Sequence, residues 1–216
     1  MTRQIPADYY SLEKPWNLYR YQNLCMDFQK TLRENGFYPL ENKTILEIGC
    51  GMGNWLVDLG KWGAKRQNLS GIDLDQGRIE KAKSRLTGAD LRHGNAACLP
   101  WAPESFDLVF QFTVFTSVSD GELKKKIAME MSRSVKSGGL IIWYDFFVNN
   151  PWNSYVKGVS KKEIARLFPD AKVVFKKITL APPLTRMLAP ISKRICGFLE
   201  NLSIFNTHYL AVIQKP

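Results

Sequence analysis

The chain is 216 residues long and carries 30 Lys+Arg against 20 Asp+Glu, a formal net charge of +10. Apolar residues make up 45% and aromatic residues 12%, enough for one sizeable core, which excludes a disordered chain and predicts a single domain over 1–216. The longest apolar run, Leu140–Val148, contains Asp145 and is far shorter than a membrane-spanning helix, and Met1–Pro15 shows no apolar leader stretch. Cys25, Cys50, Cys98 and Cys196 stand far apart, with no Cys-x-x-Cys pair. They read as free thiols of a cytoplasmic chain, and no disulfide framework or metal site is expected.

After Pro15 a helix is predicted up to Gly36, with Leu18, Tyr21, Leu24, Cys25, Phe28 and Leu32 recurring every three or four residues. From Lys43 short apolar strands alternate with helices. Strands are predicted at Thr44–Ile48, Leu69–Asp73, Asp90–His93, Phe106–Phe112 and Leu140–Tyr144, the last after a Ser137-Gly138-Gly139 turn. Helices are predicted at Asn54–Trp62, Gln76–Leu86 and Gly121–Val135. Beyond the turn signal Asn149-Asn150-Pro151, Ser160–Phe168 reads as a helix with capping-box spacing. Ala171–Leu180 and His208–Ile213 read as strands, and Leu184–Leu202 as one or two amphipathic helices broken at Pro190. This alternation predicts an α/β fold with a mostly parallel sheet. Three segments result: a helical 1–42, a βα core over 43–148, and strands with basic amphipathic helices over 149–216.

Ile45-Leu46-Glu47-Ile48-Gly49-Cys50-Gly51-Met52-Gly53-Asn54 is the most informative stretch. A strand running into closely spaced glycines and then a helix lets the backbone approach a ligand at a helix N-terminus. The third glycine comes one residue too early for Gly-x-Gly-x-x-Gly, and no Gly-Lys-Ser/Thr follows. Glu47 would repel a pyrophosphate and suits a ligand with positive charge. Asp73, at the end of the second strand, can accept from both hydroxyls of a ribose, while Asp75 or Gln76 can cap the helix that follows.

With HGNAACLPW and SFDLVFQF added, the chain resembles a class I S-adenosylmethionine-dependent methyltransferase of the group with small-molecule and lipid substrates. ILEIGCGMGNW, SGIDLDQGRIEKAKSRL, HGNAACLPWAPESFDLVFQFTVF and MSRSVKSGGLIIWYDF carry the resemblance over roughly 40–147. It implies a Rossmann-like, doubly wound seven-stranded sheet, mostly parallel with the last strand antiparallel. It also implies S-adenosyl-L-methionine as cofactor and S-adenosyl-L-homocysteine as product. By position, Glu47, Gly49, Cys50, Gly51 and Gly53 would line the methionine end, and Asp73 would take the ribose. Leu74 would flank the adenine, with Asn95 (where the family often has Asp) and Ala96 at its edge. Gln111 would border the methionine moiety. Segment 1–42 would act as a lid, with Arg20 meeting the methionine carboxylate and Tyr10 and Tyr19 beside it.

Methyl transfer needs an aligned nucleophile, excluded water and, for a hydroxyl, a nearby base. Asp145 ends the fifth strand near the expected methyl position and reads either as that base or as a turn residue. Asn149 and His208 are further catalytic candidates. Gln111-Phe112-Thr113-Val114-Phe115 lacks the Asn/Asp-Pro-Pro-aromatic tetrapeptide used for nucleobase amino groups.

The charge is lopsided: residues 1–119 hold 14 basic and 13 acidic residues, and 120–216 hold 16 and 7. Between Lys157 and Arg194 ten basic residues face two acidic ones. Mixed with apolar helix faces, this surface suits an amphiphilic acceptor or peripheral contact with an anionic membrane more than nucleic acid. The expectation is methyl transfer to a hydroxyl of a saccharide, a lipid-linked glycan or a natural product. An RNA methyltransferase and a non-catalytic cofactor-binding protein remain as alternatives.

Overall fold

Pro15 sets the start of the first helix, α1 (Pro15–Glu34), because its ring presets the helical φ where its missing N–H costs no hydrogen bond. The computed structural model describes residues 11–149 and 157–215. Five strands follow in parallel: β1 (Ile45–Ile48), β2 (Leu69–Asp73), β3 (Asp90–His93), β4 (Phe106–Phe112) and β5 (Val135–Phe146). Helices α2 (Asn54–Lys61), α3 (Gln76–Arg85) and α4 (Gly121–Ser134) lie between them. The C-terminal part adds α5 (Lys161–Leu167), β6 (Lys172–Leu180), α6 (Pro182–Leu188), α7 (Lys193–Asn201) and β7 (Asn206–Gln214).

The sheet order is β3-β2-β1-β4-β5-β7-β6, with β7 antiparallel to both β5 and β6. This is the seven-stranded α/β arrangement expected from the sequence. β1 is buried along its whole length, because a parallel strand is covered on both faces. Its side chains feed two cores. Ile45 joins Phe28, Leu32, Phe110 and Phe112 under α1, whereas Leu46 and Ile48 join Met131, Val135 and Trp143 on the other face. The chain leaves β1 toward β2 and β3 on one side and later toward β5 on the other. The strand order therefore reverses between β1 and β4, where open α/β sheets form a crevice at the carboxyl ends of the strands.

Two local features differ from the sequence reading. β5 starts at Val135, so Ser137-Gly138-Gly139 lies inside the strand, where pairing with β4 shifts register between Phe106 and Leu108. Ser160 Oγ caps α5 by accepting from the Glu163 N–H at 3.1 Å. The Glu163 carboxylate is engaged by the nearly buried Lys124 ammonium at 2.7 Å, a tertiary ion pair in place of a reciprocal capping bond.

Candidate active site

At the end of β1 the backbone folds over the tip of β2. The Gly49 and Cys50 N–H groups both donate to the Ile72 carbonyl, at 2.8 and 3.0 Å. Gly49 has φ +68°, and a Cβ there would come within 2.6 Å of Val114 Cγ2, so only glycine fits. The Gly51 N–H donates to Asp73 Oδ2 at 2.8 Å, and Arg85 Nη1 donates to Met52 O and Asn54 Oδ1 at 2.7 Å each. A Cβ on Gly51 would meet nothing within 4 Å, so the loop presents bare backbone to open space. Asp75, not Asp73, caps α3 by accepting from the Arg78 N–H. Asp73 therefore stands at the strand end holding the loop, with its Oδ1 accepting from the Asp75 N–H.

This loop borders a cavity of about 300 Å³ lined by Glu47, Gly49, Cys50, Gly51, Trp55 and Phe112, among others. Glu47 is 3% exposed, and its Oε2 is buried without a hydrogen-bond partner among the described residues. Burial first, then the charges of Asp73 and Asp58, hold its carboxyl well above the usual range. Glu47 is the one carboxylate in the cavity lining, which also includes Arg78, and Asp58 and Asp73 act on it from outside that lining.

Trp55 and Phe112 also line a second cavity, of about 260 Å³, with Arg20, Tyr21, Tyr144 and His208. The Tyr21 hydroxyl donates to Asp58. The Tyr144 ring stacks on the His208 imidazole, with centroids 4.9 Å apart and planes 9° from parallel. Burial, then the nearby Arg20 guanidinium, pushes His208 down to about 3, so its ring is neutral at physiological pH. Arg20 Nε is buried and has no hydrogen-bond partner among the described residues. Thr113, on the rim, has φ +61°, a strained conformation for a β-branched residue.

A family described as methyltransferase domain matches residues 45–139, the stretch that forms the loop and the crevice. Over this stretch the chain is similar to methyltransferases. Among its relatives, the demethylmenaquinone methyltransferase of Halalkalibacterium halodurans is 30% identical over 140 residues, 60% of this chain and 56% of that one. The chain thus spans little more than half the length of the curated relatives it matches. Two solved structures share the fold. The N-methyltransferase NodS from Bradyrhizobium japonicum is 17% identical, with a TM-score of 0.64, over 90% of this chain and 98% of that one. The geranyl diphosphate C-methyltransferase from Streptomyces coelicolor is 16% identical, with a TM-score of 0.61, over 98% and 82%. S-adenosylmethionine is the cofactor of this class. Its cationic methionine end suits the unpartnered Glu47 Oε2, and its bulk suits the open space over Gly51.

Several expected site residues take other positions in the methyltransferase domain. Gln111 is fully buried: its Nε2 donates to Asp145 Oδ2 at 2.8 Å and its Oε1 accepts from the Val114 N–H at 2.7 Å, and it lines neither of the two cavities. Asp145 is equally buried, also accepting from Thr116 Oγ1 at 2.7 Å, and lines neither cavity. Burial pushes it up to about 6 against the hydrogen bonds of Gln111 and Thr116. It anchors the turn after β4 through Thr116 and Gln111. Asn149 is exposed and accepts from the Gly158 N–H at 2.9 Å, a bridge between loops. Tyr19 turns away from the site, and its hydroxyl donates to Glu200 Oε2 at 2.8 Å beneath α7. Arg20, expected at the methionine carboxylate, lines the second cavity. Leu74 is 71% exposed next to Asp73. Asn95 Oδ1 accepts from the Ala97 N–H, which leaves its amide nitrogen outward, and Ala96 packs partly on the core. Tyr10 lies outside the described residues. Trp55 and Phe112, which join the two cavities, were read from sequence only as helix and strand residues.

Proposed function

We propose that the protein transfers the methyl group of S-adenosylmethionine to a small amphiphilic acceptor bearing an oxygen-substituted ring. The observation that carries this reading is the meeting of two cavities at Trp55 and Phe112, one acidic at Glu47, the other walled by Tyr21 and Tyr144. When bound, the cofactor supplies an electrophilic methyl group on a cationic sulfur. Burial and the nearby Asp73 and Asp58 disfavour the ionised form of Glu47, and a bound cation would relieve that cost by pairing with its carboxylate. The aromatic walls exclude water and hold a flat acceptor in line.

His208 supports a hydroxyl or similar oxygen as the acceptor group. Its neutral imidazole accepts a hydrogen bond and orients the oxygen, but a pKa near 3 makes it a poor holder of a proton. The Arg20 guanidinium beside it favours an acceptor that carries its own negative charge as it reacts. Among the expected acceptors, the aromatic rings of Tyr21, Trp55, Phe112 and Tyr144 suit a natural product with an aromatic or conjugated ring. A relative named for demethylmenaquinone supports a small-molecule acceptor.

Incubating the protein and labelled S-adenosylmethionine with fractionated cell extract tests the reading. Label in an organic-extractable small molecule is expected. Label confined to RNA, or tight cofactor binding with no label in any fraction, would replace it by the RNA-directed or the non-catalytic alternative.

A further inference from the structure

Helices α6 and α7 lean on the domain through a thin contact. Leu180, Ala189 and Cys196 pack with Tyr19 in a small cluster separate from the two main cores. Their outer side is different in kind. Ile195, Phe198 and Leu202 are spaced three and four residues apart, which puts them on one stripe of α7, and all three are exposed. Met187 and Ile191 extend the exposed run back into α6 and the connection, and Ile204 and Phe205 extend it forward to β7. Ile191 is 75% exposed and Phe198 65%. Apolar side chains of this size, exposed in succession, mark an interaction surface.

The charge of the same segment is one-sided. Glu200 is the only acidic residue between Ala181 and Phe205. Its carboxylate is turned inward, where Oε2 accepts from Tyr19 and from Asn23 Nδ2 at 2.8 and 2.7 Å, and Oε1 accepts from the Leu180 N–H. Lys193 and Arg194, at the start of α7, are exposed. We infer that the α6–α7 face docks on an anionic lipid surface, with Ile191, Ile195 and Phe198 entering the headgroup boundary and Lys193 and Arg194 meeting lipid phosphates.

Charge complementarity decides between this occupant and two others. A second copy on this face would bring the same basic groups against each other. An RNA backbone would answer the charge but leave Met187, Ile191 and Leu202 in water, since these side chains offer neither stacking nor hydrogen bonds. An anionic bilayer satisfies both, with apolar burial and surface potential acting together. Short stretches of chain tie this face to the second cavity: Tyr19, pinned under α7, precedes Arg20, and His208 follows Phe205 by three residues. An acceptor dissolved in the bilayer would then enter from the docked side. The docking itself stands on the exposed face, whatever molecule is methylated.

Flotation of the full chain with phosphatidylcholine vesicles, with and without phosphatidylglycerol, tests it. Binding only to the anionic vesicles is expected, weakened by salt. Lys193→Glu with Arg194→Glu is expected to lower partitioning about thirtyfold or more, and Ile191→Ser with Phe198→Ser by at least about tenfold. Both double variants are expected to keep the thermal midpoint and the affinity for S-adenosylmethionine, because these side chains are exposed and line neither cavity. No binding to anionic vesicles, equal binding to neutral ones, or a dimer in sedimentation that Ile191→Ser with Phe198→Ser abolishes would overturn the inference. So would RNA binding that the charge variants remove while vesicle binding is absent.

Discussion

The two halves of the sheet make their binding surfaces in different ways. On the β1–β3 side, backbone does the work: Gly49, Cys50 and Gly51 donate N–H groups to Ile72 and Asp73, and the loop stands open above Gly51. On the β5–β7 side, surfaces are made of side chains brought from distant positions, such as Arg20, Tyr144 and His208 around one cavity. The charge follows the same division, with a near balance over 1–119 and nine excess positive charges over 120–216. A cofactor common to a whole class is met by local backbone geometry. The acceptor, particular to each protein, is met by tertiary assembly.

The sharpest test of this contrast lies at the loop. Asp73→Ala and Gly51→Val are each expected to weaken S-adenosylmethionine binding by about a hundredfold or more in titration calorimetry. The first removes the carboxylate that holds the Gly51 N–H, and the second places a β-branched residue at φ +52°. Unchanged affinity in both would place the cofactor elsewhere. Glu47→Gln comes next, with binding weakened about tenfold. Its second signature is opposite in sign. Because burial raises the folded-state pKa, the wild-type carboxyl loses stability as pH rises through that value. The ligand-free Gln variant is therefore expected to melt higher than wild type at neutral pH, which a pair of thermal scans with and without cofactor would read.

His208 tests the acceptor side. Its folded-state pKa of about 3 lies below the ordinary value near 6.5, so the unfolded chain takes up the proton first. Stability is expected to fall as pH drops from about 6.5 toward about 3. His208→Gln should flatten that part of the melting-temperature profile relative to wild type while leaving cofactor affinity unchanged. A parallel profile in the variant would mean that the imidazole is not held neutral by its surroundings. The smallest effect is expected at Tyr19→Phe, which removes the donor to Glu200 and costs about 1 kcal/mol in denaturant unfolding. A cofactor affinity that moved with it would return Tyr19 to the site.

The cofactor end was largely legible in the sequence, since a strand, three glycines and a helix are contiguous and their geometry is local. The succession of strands and helices along the chain was legible for a similar reason, because apolar runs and turn signals mark each element. The acceptor end was not. Gln111 was expected beside the cofactor and Asp145 near the methyl group, yet the two bond to each other, and Asp145 to Thr116, in one buried hydrogen-bonded group. Trp55 looked like one more apolar residue of α2, and only its packing with Phe112, at 4.7 Å between ring centroids, makes it part of the wall between the cavities.

Tyr19 and Arg20 show most plainly where the boundary falls. They are neighbours on α1, both polar-tipped, and both were expected at the cofactor. The helix turns by about 100° from one to the next. That turn sends Tyr19 under α7 to Glu200 and Arg20 toward Tyr144 and His208. The sequence by itself determined that a glycine-bearing turn would follow β1 with an acidic residue beneath it, because those effects act between residues a few positions apart. Which side of α1 would meet the crevice, and which carboxylates would be closed off by hydrogen bonds, was decided only when helix and sheet packed together, because the partners lie up to some 180 residues away.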